Sequence, residues 1–196
     1  MSEWPQEYHD GSFQQPCTRA GALHAFRMHG QEDAMPLAPT LQQFLANQQI
    51  AYDVIPHEQT LSSQRTAQAC HVSGDCLAKG VLLRDRTGYL LAVLPASHRI
   101  RLSDLQEQWS PVLEFAPERE VGELFRDCER GAVPPVGACY GLDMIIDESL
   151  ETQPDVYFEA GDHATLVHVR QDQFAKLIGR ARRGRFSTPE SGVTIH

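Results

Sequence analysis

Apolar positions change their spacing several times along the chain, and each change marks an expected element. From Pro39 and Thr40 onward, Leu41, Phe44 and Leu45 recur at helical spacing, and Thr40 followed by Gln43 is a capping-box pattern. Tyr52–His57 alternates as a half-buried strand does. Ser62 or Ser63 then caps a short helix through Cys70, and Ser73 caps another turn through Leu77 and Ala78. The runs Lys79–Asp85 and Tyr89–Leu94, separated by Arg86, Thr87 and Gly88, predict a hairpin of core strands. Pro95–Ile100 reads as a loop, Ser103 as the cap of a helix through Trp109, and Val112–Phe115 as a short strand. Pro117 suits the first turn of a helix through Phe125, with Glu118 and Glu120 favourable near its N-terminus.

Farther on, Ala138–Ile146 predicts a strand and Asp147–Leu150 a polar turn. Val156–Phe158 and Leu166–Val169 are two more strands, joined through Gly161, Asp162 and His163, and Gln171–Ile178 is a closing helix that stops at Gly179. Short hairpins mixed with helical crossovers imply an α+β, mixed α/β fold, a mixed sheet with helices packed on it. Residues 1–36 show no sustained period and are expected as an N-terminal extension. Residues 37–179 form the folded domain, and 180–196 an arginine-rich flexible tail.

Composition narrows the class. The chain has 196 residues, 41% of them hydrophobic and 22% charged, as in a soluble globular domain. No apolar run approaches the roughly 20 residues needed to span a bilayer, and no secretory leader opens the chain, so a cytoplasmic protein without membrane partners is expected. Five cysteines without a Cys-x-x-Cys spacing fit neither a disulfide framework nor a zinc site, which leaves Cys70, Cys76 and Cys139 as buried thiols. Cys128 lies between Asp127 and Glu129, which would raise rather than lower a thiol pKa. The net charge of −9 does not suggest generic nucleic-acid binding. Any RNA contact would be local, and Arg180, Arg182, Arg183 and Arg185 are the place for it.

Three features carry candidate chemistry. Of 17 basic residues only Lys79 and Lys176 are lysines, and Lys79 opens a strand. The stretch Asp127–Gly137 contains Gly131, Pro134 and Pro135, a stiff loop that leaves the amides of Ala132 and Val133 without an obvious ladder partner. Such clusters mark turns first, yet stiff loops with free amides beside a sheet also hold small polar ligands or oxyanions. His163 lies in a Gly-Asp-His turn between strands. No dinucleotide fingerprint, P-loop, His-Glu-x-x-His pair or Gly-x-Ser-x-Gly elbow is present, so no cofactor and no metal are expected.

In order, Tyr52–His57, Ser63 with Ala67, Ala78–Val81, Leu94–Ala96, Gly131–Pro135 and Ala160–His163 resemble the YbaK-type aminoacyl-tRNA deacylase domain, also found inserted in prolyl-tRNA synthetases. The likeness covers about residues 40–178. It implies a mixed-sheet, barrel-like core with surrounding helices, and hydrolysis of the ester joining a wrong amino acid to the terminal adenosine of a tRNA. It implies that Lys79 positions the acyl-adenosine end, and that the Gly131–Pro135 loop shapes the pocket and places the scissile carbonyl and water. His163 lines the same pocket, with Gly161 in its turn. Ala132, Val133, Pro134 and Pro135 would then bind substrate. A ribose hydroxyl would assist the water, with neither metal nor covalent intermediate. The implied partners are the acceptor end of a mischarged tRNA, tRNA(Pro) foremost, and prolyl-tRNA synthetase. The rivals are a non-catalytic binding module of the same fold and a small-ester hydrolase using the same pocket.

Overall fold

A computed structural model describes residues 26–27, 37–60 and 62–190. The expectation for residues 1–36 lies outside these, apart from one short strand. The elements are β1 (Phe26–Arg27), α1 (Pro39–Asn47), β2 (Asp53–Pro56), α2 (Ser63–Ala69), β3 (Leu77–Arg84), β4 (Tyr89–Pro95) and β5 (His98–Ile100). They continue with α3 (Leu102–Gln108), β6 (Glu114–Phe115), α4 (Glu118–Leu124), β7 (Asp143–Asp147), β8 (Asp155–Glu159), β9 (Thr165–Arg170) and α5 (Gln171–Ile178). The last two strands are β10 (Arg182–Gly184) and β11 (Ser187–Pro189).

The main sheet runs β1-β2-β9-β8-β3-β4-β7-β10, with β6 on the far half of β3. Its joins are parallel at β3–β8, β4–β7 and β7–β10 and antiparallel elsewhere, so the sheet is mixed, as the hairpin-plus-crossover pattern requires. Helices cover both faces. On one, Leu41 and Leu45 of α1 and Phe174 and Leu177 of α5 bury against Ala78, Leu82, Val156 and Phe158. On the other, Leu105 of α3 packs with Leu83, Leu90 and Leu94, and Ala67 of α2 with Ile55 and Leu77. Each fully buried leucine contributes about 1.5–3 kcal/mol relative to exposure.

The structure moves several boundaries. Helix α1 starts at Pro39, so Thr40 lies inside its first turn and cannot cap it; no side chain of Ala38 does so either. Asp127 Oδ2 accepts the Thr40 amide instead, at 2.8 Å. Leu77 and Ala78 are already strand, paired with Tyr157 and Phe158. The expected strand from Ala138 is a 3-10 turn over Gly137–Tyr140, closed by Gly141 at φ +69°, and the strand begins only at Asp143. Tyr140 is held there by the Phe125 ring, with centroids 4.5 Å apart, and by its hydroxyl donating to Asp127 Oδ1 at 3.1 Å.

The largest correction concerns the tail. Residues 182–184 pair parallel with β7, and 187–189 pair antiparallel with His98–Ile100, which makes a strand of an expected loop. Phe186 between them is fully buried against α3 and β4. One aromatic in an arginine-rich segment is enough to anchor it. Cys70, Cys128 and Cys139 are free thiols. Cys76 is disulfide-bonded, against the reading that left it a thiol.

Candidate functional site

The Gly/Pro loop closes on the turn that carries His163. Gly131 has φ +89°, and a Cβ there would stand 3.6 Å from Cε1 and Nε2 of the His163 ring. His163 Nε2 donates to Arg130 O at 2.8 Å. A carbonyl oxygen only accepts, so Nε2 carries its hydrogen, and Nδ1 of the neutral ring keeps its lone pair. His163 itself is buried and sits at φ +56°, a left-handed conformation that costs a non-glycine residue roughly 1–2 kcal/mol. Two backbone bonds hold it there. Thr60 N donates to His163 O at 3.1 Å, and Glu129 N donates to Gly161 O at 2.7 Å. Gly161, at φ +114°, admits no Cβ: one would lie 2.8 Å from Ala38 Cβ and 3.1 Å from Cys128 Sγ.

Within the loop, burial separates two roles. Ala132, Pro134 and Pro135 are buried, whereas Gly131 is exposed and Val133 half-buried. The Ala132 amide was expected to be free, but it donates to Glu129 O at 3.0 Å and closes the turn. Ala132 is therefore an anchor and not an oxyanion donor. The Val133 amide has no partner among the described residues. The loop reaches β3 at Gly80, where a Cβ would lie 3.4 Å from Pro135 Cα and 3.5 Å from Val133 Cγ1.

Lys79 is the neighbouring strand residue, and side chains alternate across a strand, so it leaves β3 on the face opposite Ala78 and Leu82. Its Nζ donates to Ala96 O at 3.1 Å and pairs with Glu190 Oε1 at 3.9 Å. Burial lowers its pKa from the usual lysine value, and Glu190 partly offsets that. No hydrogen bond or ion pair among the described residues joins Lys79 to His163 or to the loop. The structure thus brings Gly131, Gly161 and His163 together and packs Val133 and Pro135 against Gly80, on the sheet face opposite the one from which the Lys79 side chain leaves. The lysine ammonium itself is hydrogen-bonded to Ala96 O and pairs more loosely with Glu190 of the C-terminal segment.

The surroundings of Cys128 disfavour its thiolate. Burial pushes its thiol up to about 11, and Asp127 adds to this while the Tyr140 hydrogen bond works against it. Among the described residues no group of three or more His, Cys, Asp or Glu side chains is arranged to hold a metal ion.

Two features escaped the sequence. Glu190, in the tail, carries no signal of its own. Behind His163 lies a polar cluster of His57, Thr60, Thr66 and Glu159, with Thr66 Oγ1 donating to Glu159 Oε1 at 2.8 Å. Its only trace in the sequence is a glutamate ending the otherwise apolar run Val156–Phe158.

Fold and site together define a mixed α/β domain in which a rigid Gly/Pro loop locks onto a histidine turn at the end of the sheet. Solved structures share this fold. A candidate trans-editing enzyme for prolyl-tRNA synthetase superposes with a TM-score of 0.68 at 23% identity, over 81% of this chain and 100% of its own. A protein from work on epitope backbone grafting onto scaffolds gives 0.69 at 21%, over 81% and 100%. A candidate signal transduction protein from Marinobacter aquaeolei VT8 gives 0.63 at 19%, over 78% of this chain and 31% of its own. At such identities the likeness is one of fold. No curated protein matches the chain. Residues 57–177 match the aminoacyl-tRNA editing domain, more than half of the sequence, and the chain belongs to that family. The resemblance drawn from the ordered motifs is upheld.

Proposed function

We propose that this protein is a trans-editing deacylase that hydrolyses the ester of a mischarged tRNA, tRNA(Pro) carrying a small wrong amino acid. The observation that carries the reading is the closure of Gly131 on the His163 ring, with Val133 and Pro135 packed against Gly80. Family membership supports it. So does the description of one fold relative as a candidate trans-editing enzyme for prolyl-tRNA synthetase.

An aminoacyl ester is already activated, so orientation and a donor for the developing oxyanion suffice. The free amide of Val133 is that donor, and the hydrogen-bonded Ala132 amide is not. Lys79 takes the anionic end of the terminal adenosine. Nδ1 of His163 offers an acceptor in the pocket, to a water or to the ribose hydroxyl that assists it. Ala132, Pro134, Pro135 and Gly161 keep the wall rigid. One methylene discriminates only about 10–200-fold in such a pocket, so a small cargo is selected chiefly by exclusion of the larger cognate.

The same tail that pairs with Lys79 offers a contact for the acceptor stem. Arg183 and Arg185 are paired with Glu151 and Glu148. Arg180 and Arg182 instead line a cavity of about 510 Å³ with Lys176, and the Arg182 guanidinium lies 4.3 Å above the Trp109 ring.

The test is a panel of mischarged tRNAs incubated with wild type and Lys79→Ala. Ester cleavage by wild type and its loss in the variant support the reading. Absence of cleavage by wild type on every substrate overturns it.

A further inference from the structure

The polar cluster behind His163 contains an unusual contact. His57 Nδ1 donates to Glu58 O at 2.7 Å, so Nδ1 carries its hydrogen and Nε2 of the neutral ring is a bare acceptor. That Nε2 faces Glu159 Oε2 at 4.0 Å, with the two side chains 2% and 10% exposed. Both atoms are buried and neither has another hydrogen-bond partner. Two opposed, buried acceptors are unfavourable. At 4.0 Å the atoms are beyond hydrogen-bond distance, and one hydrogen on either atom makes a bond, N–H to O or O–H to N, once the side chains close by about 1 Å.

The surroundings favour keeping that hydrogen. Burial pushes the Glu159 carboxyl above its ordinary pKa, while the Thr66 hydrogen bond, and a positive charge on His57 or His163 whenever either ring is protonated, work the other way. The groups facing Glu159 are Thr66 and Cys70 from α2 and its end, Asp162 and His163 from the turn after β8, and His57 from the segment after β2.

The cluster is also wired to the site. Glu159 Oε1 accepts from Thr66 Oγ1, which hydrogen-bonds the Thr60 hydroxyl. Thr60 N donates to His163 O, and His57 N donates to Ala164 O at 2.8 Å. The segment from His57 to Thr66 therefore grips the strained His163 turn by its backbone and is itself anchored on Glu159.

We propose that His57 and Glu159 share one proton between Nε2 and Oε2, and that Glu159, through Thr66 and Thr60, is a positioning residue that fixes His163 for ester cleavage. The functional half rests on the deacylase reading above. Glu159→Gln keeps this work, since the amide nitrogen donates to His57 Nε2 and the amide oxygen accepts from Thr66. Glu159→Ala does not.

The experiment compares wild type, Glu159→Ala, Glu159→Gln and Thr66→Val, the last a near-isosteric change that cuts the link while leaving the pair. Deacylation of the mischarged-tRNA panel is measured together with nitrogen NMR of the imidazole rings. Glu159→Ala and Thr66→Val are expected to lower kcat about 10–100-fold with little change in KM, and Glu159→Gln to stay within about threefold of wild type. The His163 ring signals should shift in the first two and stay in place in the third, and His57 Nε2 should show a bonded hydrogen. Wild-type kcat with unmoved His163 signals in Thr66→Val overturns the proposal. So does a Glu159→Gln variant as slow as Glu159→Ala. Should wild type cleave nothing, the deacylase reading fails alone, and the spectra still decide the pair. A His57 Nε2 that behaves as a bare acceptor and ignores Glu159→Gln overturns it.

Discussion

The carboxylate of Glu190 stands 3.9 Å from the ammonium of Lys79, the one cation that the proposed chemistry requires. It is held there from two sides. Its Oε2 accepts from Gln64 Nε2 at 2.6 Å, and its amide donates to Ser97 O at 2.8 Å. An anionic substrate group must therefore displace a carboxylate of the chain itself. The side chains of Lys79 and Glu190 are 23% and 42% exposed, which makes the pair a weak, partly solvated one. Glu190→Gln should lower KM for the tRNA substrate by only about two- to fivefold, with kcat nearly unchanged. A pH profile checks the origin of the effect. Burial lowers the Lys79 pKa and Glu190 raises it, so removing Glu190 should move the alkaline loss of activity to lower pH. An unmoved alkaline limb would mean that Lys79 does not titrate in that limb.

Asp127 joins three parts of the chain. Its Oδ2 accepts the Thr40 amide and its Oδ1 accepts the Tyr140 hydroxyl. Asp127→Ala leaves a first-turn amide of α1 and a phenol hydroxyl without their acceptor. A lost cap of this kind costs about 0.5–2 kcal/mol, a fall in Tm of a few degrees in chemical denaturation and calorimetry. In the structure both carboxylate oxygens are engaged within the protein.

The C-terminal segment should carry a pH signature through Asp147. Burial works to raise its pKa, but hydrogen bonds from Ser149, Ser187 and the Phe186 amide outweigh this and hold the carboxyl below the usual range. The folded value then lies below the unfolded one. Its stabilisation is complete above the ordinary Asp pKa of about 4 and is lost as pH falls through the folded value. Asp147→Asn should lower Tm at pH 7, and the gap to wild type should narrow in acid. A gap independent of pH would assign the loss to packing around Phe186.

The tail arginines should divide in two. Arg183 and Arg185 have carboxylate partners, and Arg180 and Arg182 have no ion pair among the described residues. Arg180→Ala and Arg182→Ala should weaken tRNA binding at low salt and reduce the slope of log affinity against log salt by about one each, whereas Arg183→Ala should act on stability first. Filter binding across a salt series reads the difference. Truncation after Gly179 is a poorer test, because it also removes the buried Phe186.

Local chemistry on its own settled much of this protein. The hairpin of β3 and β4, the helix of α5 ending at Gly179, the strands β8 and β9 and the order of the motifs were all legible, because apolar spacing and turn residues act over a few positions. Gly131 and His163 could be singled out as residues, and only the tertiary structure placed one on the other. It also decided which loop amide is free, since Ala132 N is satisfied by Glu129 O through a turn that sequence does not specify. Thr40 looked like a cap and was not, because the helix starts one residue earlier, at Pro39, and its own amide goes to an acceptor 87 residues away. Glu159 facing His57, Glu190 facing Lys79 and Phe186 seated in a core are likewise long-range contacts, decided by how sheets and segments pack and not by neighbours along the chain.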